Sequence, residues 1–262
     1  MNSYAAARRK LLDRITRTLP SDNRFPAAWL AGSFGRDEAD RVSDLDLTIV
    51  VASPYSQALC ARPWMAGAST PKERLALISR FGKPAVIHEN HHNAPPDGTF
   101  TFALYEGSAL MVDWILVPSA AAMRPPSSRL LFDKSGIPLQ DPVIPGDLQD
   151  RLPAVSERLA FFWMMAAVTL KYIIRQDTVK TLELLEMLYR TVREVEQLLA
   201  GELWAYQRGS LAPLVPTREE QAREVYQLAN KMVAVTSQVK RIGGQTPRPP
   251  MDTLDVLLGM LP

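Results

Sequence analysis

One stretch constrains this chain more than any other: residues 32–46 read GSFGRDEADRVSDLD, and LTIVV follows at once. A short apolar run, Ala27 to Ala31, precedes Gly32 and reads as a strand. Leu47 to Val51 is rich in β-branched residues and reads as a second. Ten residues lie between Ser33 and Asp44, so the two strands are joined by a polar, acidic connection. Alternate residues of a strand point to the same face. Asp44 and Asp46 therefore project together, roughly 6–7 Å apart at Cα, while Leu45 and Leu47 turn inward. Two carboxylates on one face at the start of a strand offer hard oxygen ligands suited to Mg²⁺. A Gly-Ser turn brings backbone N–H groups and a hydroxyl against a phosphate.

Composition narrows the setting. The 262 residues are 47% apolar with a net charge of +2, enough for a substantial core and too balanced for an extensive nucleic-acid surface. The single cysteine, Cys60, permits no internal disulfide and reads as a small buried hydrophobe. That fits a reducing cytoplasm. The N-terminus reads as an amphipathic helix without a signal-peptide core. The longest hydrophobic run, Leu159 to Leu170, is too short to cross a bilayer and reads as a core helix.

The order of elements predicts an α+β chain. After the first helix and two strands, Pro71 to Arg80 reads as a short helix. Ala85–Glu89, Phe100–Tyr105 and Ala109–Val117 read as strands. This order implies a mixed sheet flanked by helices. From Pro118 to Pro153 prolines interrupt regular structure. Beyond them come Ala154–Arg175 and Thr178–Ala200, the latter with Leu182, Leu185 and Leu188 at helical spacing. Thr217 with Glu220 makes a capping box for a helix to about Ile242, and Asp252–Leu261 reads as a short terminal helix. The expected organisation is residues 1–148 as the catalytic domain and 149–262 as a helical bundle.

Gly32, Ser33, Gly35, Arg36, Ser43, Asp44 and Asp46 together resemble the DNA polymerase β-like nucleotidyltransferase superfamily. Within it the chain is similar to the bacterial aminoglycoside and lincosamide nucleotidyltransferases. The resemblance implies an NTP, ATP by default, with Gly32 and Ser33 at its phosphates. It implies one or two Mg²⁺ ions on Asp44 and Asp46, and transfer of an NMP to a hydroxyl of a small molecule with release of pyrophosphate. A third carboxylate from a later strand is common there. Asp113, inside the apolar LMVDWILVP, matches it, as a metal ligand or as the base that takes the hydroxyl's proton. Glu89, closing its strand, is the rival base. Arg36 reads as a phosphate contact or as a clamp on the motif loop through Asp40. Lys171 and Arg175, one turn apart on a helix, read as cations for the triphosphate or as an ordinary exposed face.

Three readings are set aside or kept second. His88, Glu89 and His92 fit the zinc pattern HExxH, but a β-branched run precedes it and Asn-Ala-Pro-Pro follows, so no helix can bring the histidines together. His91 and His92 read as loop residues. Acidic residues that would pair a polycationic aminoglycoside are not clustered in the sequence. Nucleotidylylation of a protein, as in the enzymes paired with helical toxins, and a catalytically silent nucleotide-binding protein are the alternatives. The chain is expected to act without membrane or nucleic acid, as a monomer or homodimer.

Overall fold

The computed structural model describes residues 3–63, 70–141, 144–203 and 209–261. They fall into two compact units, residues 1–142 and 143–262. The class is α+β, with a six-stranded mixed sheet in the first unit and helices alone in the second.

The first unit opens with α1 (Ser3–Thr18), then β1 (Ala27–Leu30), the one-turn α2 (Gly32–Gly35) and β2 (Leu45–Val51). Next come α3 (Ser53–Leu59), α4 (Lys72–Ser79), β3 (Pro84–Glu89), β4 (Thr99–Tyr105), β5 (Met111–Pro118) and β6 (Arg129–Asp133). The sheet order is β3-β4-β5-β2-β1-β6, with β2 and β5 parallel and every other pair antiparallel. The parallel pair lies at the centre. This explains why β2 is buried at six of its seven positions and reads as a nearly unbroken apolar run.

Register sorts the side chains onto two faces. Leu30, Leu47, Trp114, Thr101 and Glu89 are successive cross-strand partners and share one face. That face forms the main core with Leu11 and Ile15 of α1, Leu59 of α3, and Leu77 and Ile78 of α4. On the other face Ala27, Trp29, Val50 and Val117 pack with Ala122 and Ile137, covering the β1 side. The helices thus lie over one face of the sheet, and the opposite face is closed only in part.

A buried ion pair ties the edge of the sheet to the helices. Arg74 of α4 is fully buried and donates to Glu89 Oε1 through Nε and Nη2, at 3.0 and 2.8 Å. It also donates to the carbonyls of Leu59 and Ala61. Thr101 Oγ1 donates to Glu89 Oε2 at 3.1 Å. A buried guanidinium is tolerated when its donors are satisfied in this way.

The second unit contains α5 (Leu148–Ile174), α6 (Thr178–Ala200), α7 (Arg218–Arg241) and α8 (Met251–Leu258) around a core that includes Phe162, Leu188, Val225 and Leu254. Asp177 caps α6 by accepting from the Lys180 N–H, and Gly201 ends it at φ 70°. The capping box is formed: Thr217 Oγ1 accepts from Glu220 N and Glu220 Oε2 accepts from Thr217 N. Helix α5 starts at Leu148 rather than Ala154, running through Pro153 at the cost of one main-chain hydrogen bond. Helix α3 and strand β6 are among the elements not anticipated. Helix α3 carries Pro54 in its first turn, where a missing N–H costs nothing. Strand β6 lies within the proline-rich stretch but contains no proline itself, and pairs with β1 at the sheet edge. No helix among the described residues is long and apolar enough to cross a membrane.

Replacing Arg74 with Met should destabilise the protein by about 3–5 kcal/mol, because the Glu89 carboxylate and two carbonyls lose their donor. Urea denaturation checks this. A loss below about 1 kcal/mol would mean that water replaces the guanidinium.

Candidate active site

Asp46 of β2 and Asp113 of β5 are direct partners in the parallel ladder. They stand on the partly closed face, opposite to Trp114 and Leu47. Two carboxylates side by side on the central strands repel one another. Burial, then the charge of Asp44, raises the Asp46 pKa, and the nearby Arg36 cation works against this. Asp113 is pushed up to about 7, first by burial and then by the charges of Asp46 and Asp44. The Asp113 carboxylate makes no hydrogen bond or ion pair with a described residue. Asp46 and Asp113 share one face, and the charge of Asp44 reaches both.

The Gly-Ser turn is built against this pair. Gly32 has φ +54°, and a Cβ placed on it would lie 1.9 Å from Asp46 Oδ2. Only glycine lets the turn lie this close to the carboxylate. The Ala31 N–H also donates to the Asp46 carbonyl at 2.8 Å. Next along the turn, Ser33 is 7% exposed, and its buried hydroxyl has no hydrogen-bond partner. An unpaired buried hydroxyl costs free energy unless a ligand completes it. The Gly35 N–H donates to the Ala31 carbonyl at 2.8 Å, whereas those of Gly32, Ser33 and Phe34 precede the first bond of this single turn.

Arg8 of α1 was not singled out by the sequence, yet it clamps the motif loop. Its guanidinium donates to the Ser43 and Asp40 carbonyls and lies over the Phe34 ring at 4.9 Å. Ser43 Oγ in turn accepts from Asp40 N and donates to Asp40 Oδ1, both at 2.9 Å. Arg36 pairs with Glu38 at 2.8 Å and contributes positive potential at Asp46.

Glu89, the rival candidate base, does not join the group. Its register partner is Thr101, which places it on the face opposite to Asp46 and Asp113. There it is the counter-ion of Arg74. His88, one residue earlier, points to the Asp113 face, and β3 ends at Glu89, so no HExxH helix exists. His91 and His92 lie in the following loop with their rings 3.8 Å apart. Lys171 and Arg175 belong to the second unit. Both are exposed, and their cationic groups lie 4.8 and 5.7 Å from the Tyr172 ring centroid at the end of α5, where positive charge also complements the helix dipole.

The donor set suits a hard divalent cation: carboxylate oxygens of like charge whose repulsion a cation relieves. Among the described residues, no three His, Cys, Asp or Glu side chains converge to hold an ion as they stand. Mg²⁺ does not require such a cage, because it commonly binds through one or two carboxylates and completes its shell with water and phosphate oxygens. No family model and no curated protein matches the chain.

A test follows from the Asp113 shift. The unfolded-chain value is 3.8 and the folded value is about 7. Ionising Asp113 therefore costs the fold. Its stability contribution is intact below about pH 4 and is lost as pH rises towards 7. In EDTA, Asp113→Asn should be more stable than wild type at pH 8 by about 1–3 kcal/mol, and the gap should close below about pH 4. Denaturant titrations across pH measure it. A pH-independent gap would show that the side chain does not titrate in this range.

Proposed function

We propose that the first unit is a Mg²⁺-dependent nucleotidyltransferase that moves an NMP, by default AMP from ATP, to a hydroxyl of a small molecule. The observation that carries this reading is the unpaired, buried Ser33 hydroxyl on a turn whose Gly32 backbone touches Asp46, itself paired in register with Asp113. A turn with N–H and hydroxyl donors beside two neighbouring carboxylates supports this reading.

In this reading Ser33 Oγ and the adjoining N–H groups donate to the donor's phosphate oxygens and hold the triphosphate against the turn. Asp44 and Asp46 would hold Mg²⁺, with Asp113 available as a further ligand. The ion, when bound, neutralises charge on the transferred phosphoryl group and the departing pyrophosphate. Asp113 stands one strand beyond Asp46, on the side away from the turn. From there it takes the proton of the acceptor hydroxyl. The hydroxyl oxygen forms the new bond to the α-phosphorus, the bond to pyrophosphate breaks, and pyrophosphate leaves with the electron pair. Arg8 holds the loop that sets these groups in place, so alignment does not have to be found anew in each turnover.

Incubation with labelled ATP, Mg²⁺ and a panel of hydroxyl compounds and proteins tests the reading. Mass spectrometry shows which acceptor gains an NMP, and coupled detection shows whether pyrophosphate is released. Asp44→Asn and Asp46→Asn should each lower pyrophosphate release by about 10²-fold or more, with circular dichroism unchanged. Ser33→Ala should weaken nucleotide binding by about five- to tenfold while the chemical step stays nearly as fast. Turnover within a few-fold of wild type in either aspartate variant removes that residue from the reaction. No nucleotide binding by the wild-type chain overturns the reading as a whole.

A further inference from the structure

The row that carries Asp46 and Asp113 continues across the sheet. Phe102 of β4 is the register partner of Asp113, and His88 of β3 is the partner of Phe102. Asp46, Asp113, Phe102 and His88 therefore stand in one line on one face, at about 4.8 Å per strand. Phe102 is half-buried and His88 is exposed. Strand alternation adds Phe100 and Leu104 of β4 to the same face, together with Val86 of β3, which is 48% exposed. Strands β3 and β4 place no carboxylate on this face: their one acidic residue, Glu89, points the other way into its pair with Arg74.

The row has two ends of different chemistry. At the β2 end the Gly32–Ser33 turn presses on Asp46. Phosphates seated on that turn occupy that end. A second substrate then approaches Asp113 over β4 and β3.

Resting on the transfer reading above, we propose that Phe102 and His88 form the acceptor platform. We further propose that the acceptor is a hydroxyl compound with a planar or apolar ring beside the reacting hydroxyl, not a polycation. The Phe102 ring supplies stacking area next to the proton acceptor. The His88 imidazole supplies a hydrogen-bonding edge at the outer end. A polycation needs several carboxylates along its length. The carboxylates of this row are Asp46 and Asp113, which the reaction itself uses.

The chain has three histidines, so ring NMR signals can be assigned by a His88→Gln variant. The full chain, with Mg²⁺ and a non-hydrolysable ATP analogue, is titrated with p-nitrophenyl glucoside, methyl glucoside and kanamycin. The two glucosides offer the same ring hydroxyls and differ in the aromatic group, and kanamycin supplies the polycation. The expected result is a His88 shift that saturates at about tenfold lower concentration with the nitrophenyl compound than with methyl glucoside. Phe102→Ala should erase that preference and Phe102→Tyr should keep it, both with unchanged affinity for the ATP analogue. Equal binding of the two glucosides by the wild-type chain overturns the proposal, whatever the fate of the Ala variant. So does a tighter His88 response to kanamycin, or a ring preference that survives Phe102→Ala. A His88 shift on adding the nucleotide alone would give the platform to the donor base instead. Failure of the wild type to bind the nucleotide overturns the transfer reading, whereas nucleotide binding without ring preference overturns only the platform.

Discussion

The arrangement of the first unit depends on a parallel ladder that sets Asp46 directly beside Asp113. β2 and β5 are the central strands, and their other neighbours in the ladder are Leu45 with Val112 and Leu47 with Trp114. Those residues are fully buried or nearly so. The register is therefore pinned by hydrophobic burial, since a slip of one residue would send Trp114 to the other face and both carboxylates into the core. The cost of holding two like charges together is carried by that same burial. Electrostatic tension at the pair and strength of the core are two consequences of one pairing.

Around this pair, each neighbouring feature limits movement. Gly32 leaves no room for a side chain between the turn and Asp46. Gly35 is likewise closed in, since a Cβ there would lie 2.3 Å from the Ser127 carbonyl oxygen. Arg8 secures the far end of the motif loop through two carbonyls and the Phe34 ring. The loop is thus anchored at its start by close backbone approach and at its end by a guanidinium from a different helix. A loop held in this way would meet the demand of the proposed transfer that its groups be positioned in advance.

Much of this was legible in the sequence, and the reasons are local. The strands at Ala27, Leu45, Thr99 and Met111 announce themselves by apolar and β-branched runs, and the helices of the second unit by leucine spacing and the Thr217–Glu220 box. Asp44 and Asp46 are expected on one face because a single residue, Leu45, separates them, which needs no tertiary knowledge. What stayed hidden is non-local. Arg8 looks like any basic residue on an amphipathic helix until the loop is folded over it. Arg74 sits in a short helix directly after the charged Lys72 and Glu73, and nothing in KERLALIS marks it as fully buried. Strand β6 was masked by the prolines around it. Its edge position is what lets so short a strand of mixed polarity survive there.

The separation of Glu89 from Asp113 follows the same logic. In the sequence both are carboxylates on apolar strands, and either could serve as a base. The ladder puts them on opposite faces by parity. Asp113 pairs with Phe102, Phe102 pairs with His88, and Glu89 is one residue further along β3. One residue on a strand is half a pleat period, so Glu89 faces the helices while His88 faces the carboxylates. On the helix side a lone carboxylate would be costly to bury, and the fully buried Arg74 relieves that cost while tying α4 to the sheet edge. On the other side the corresponding position is free to be aromatic. The same parity that gives Glu89 a structural partner therefore leaves the surface beside Asp113 apolar and partly open, as a second substrate would require.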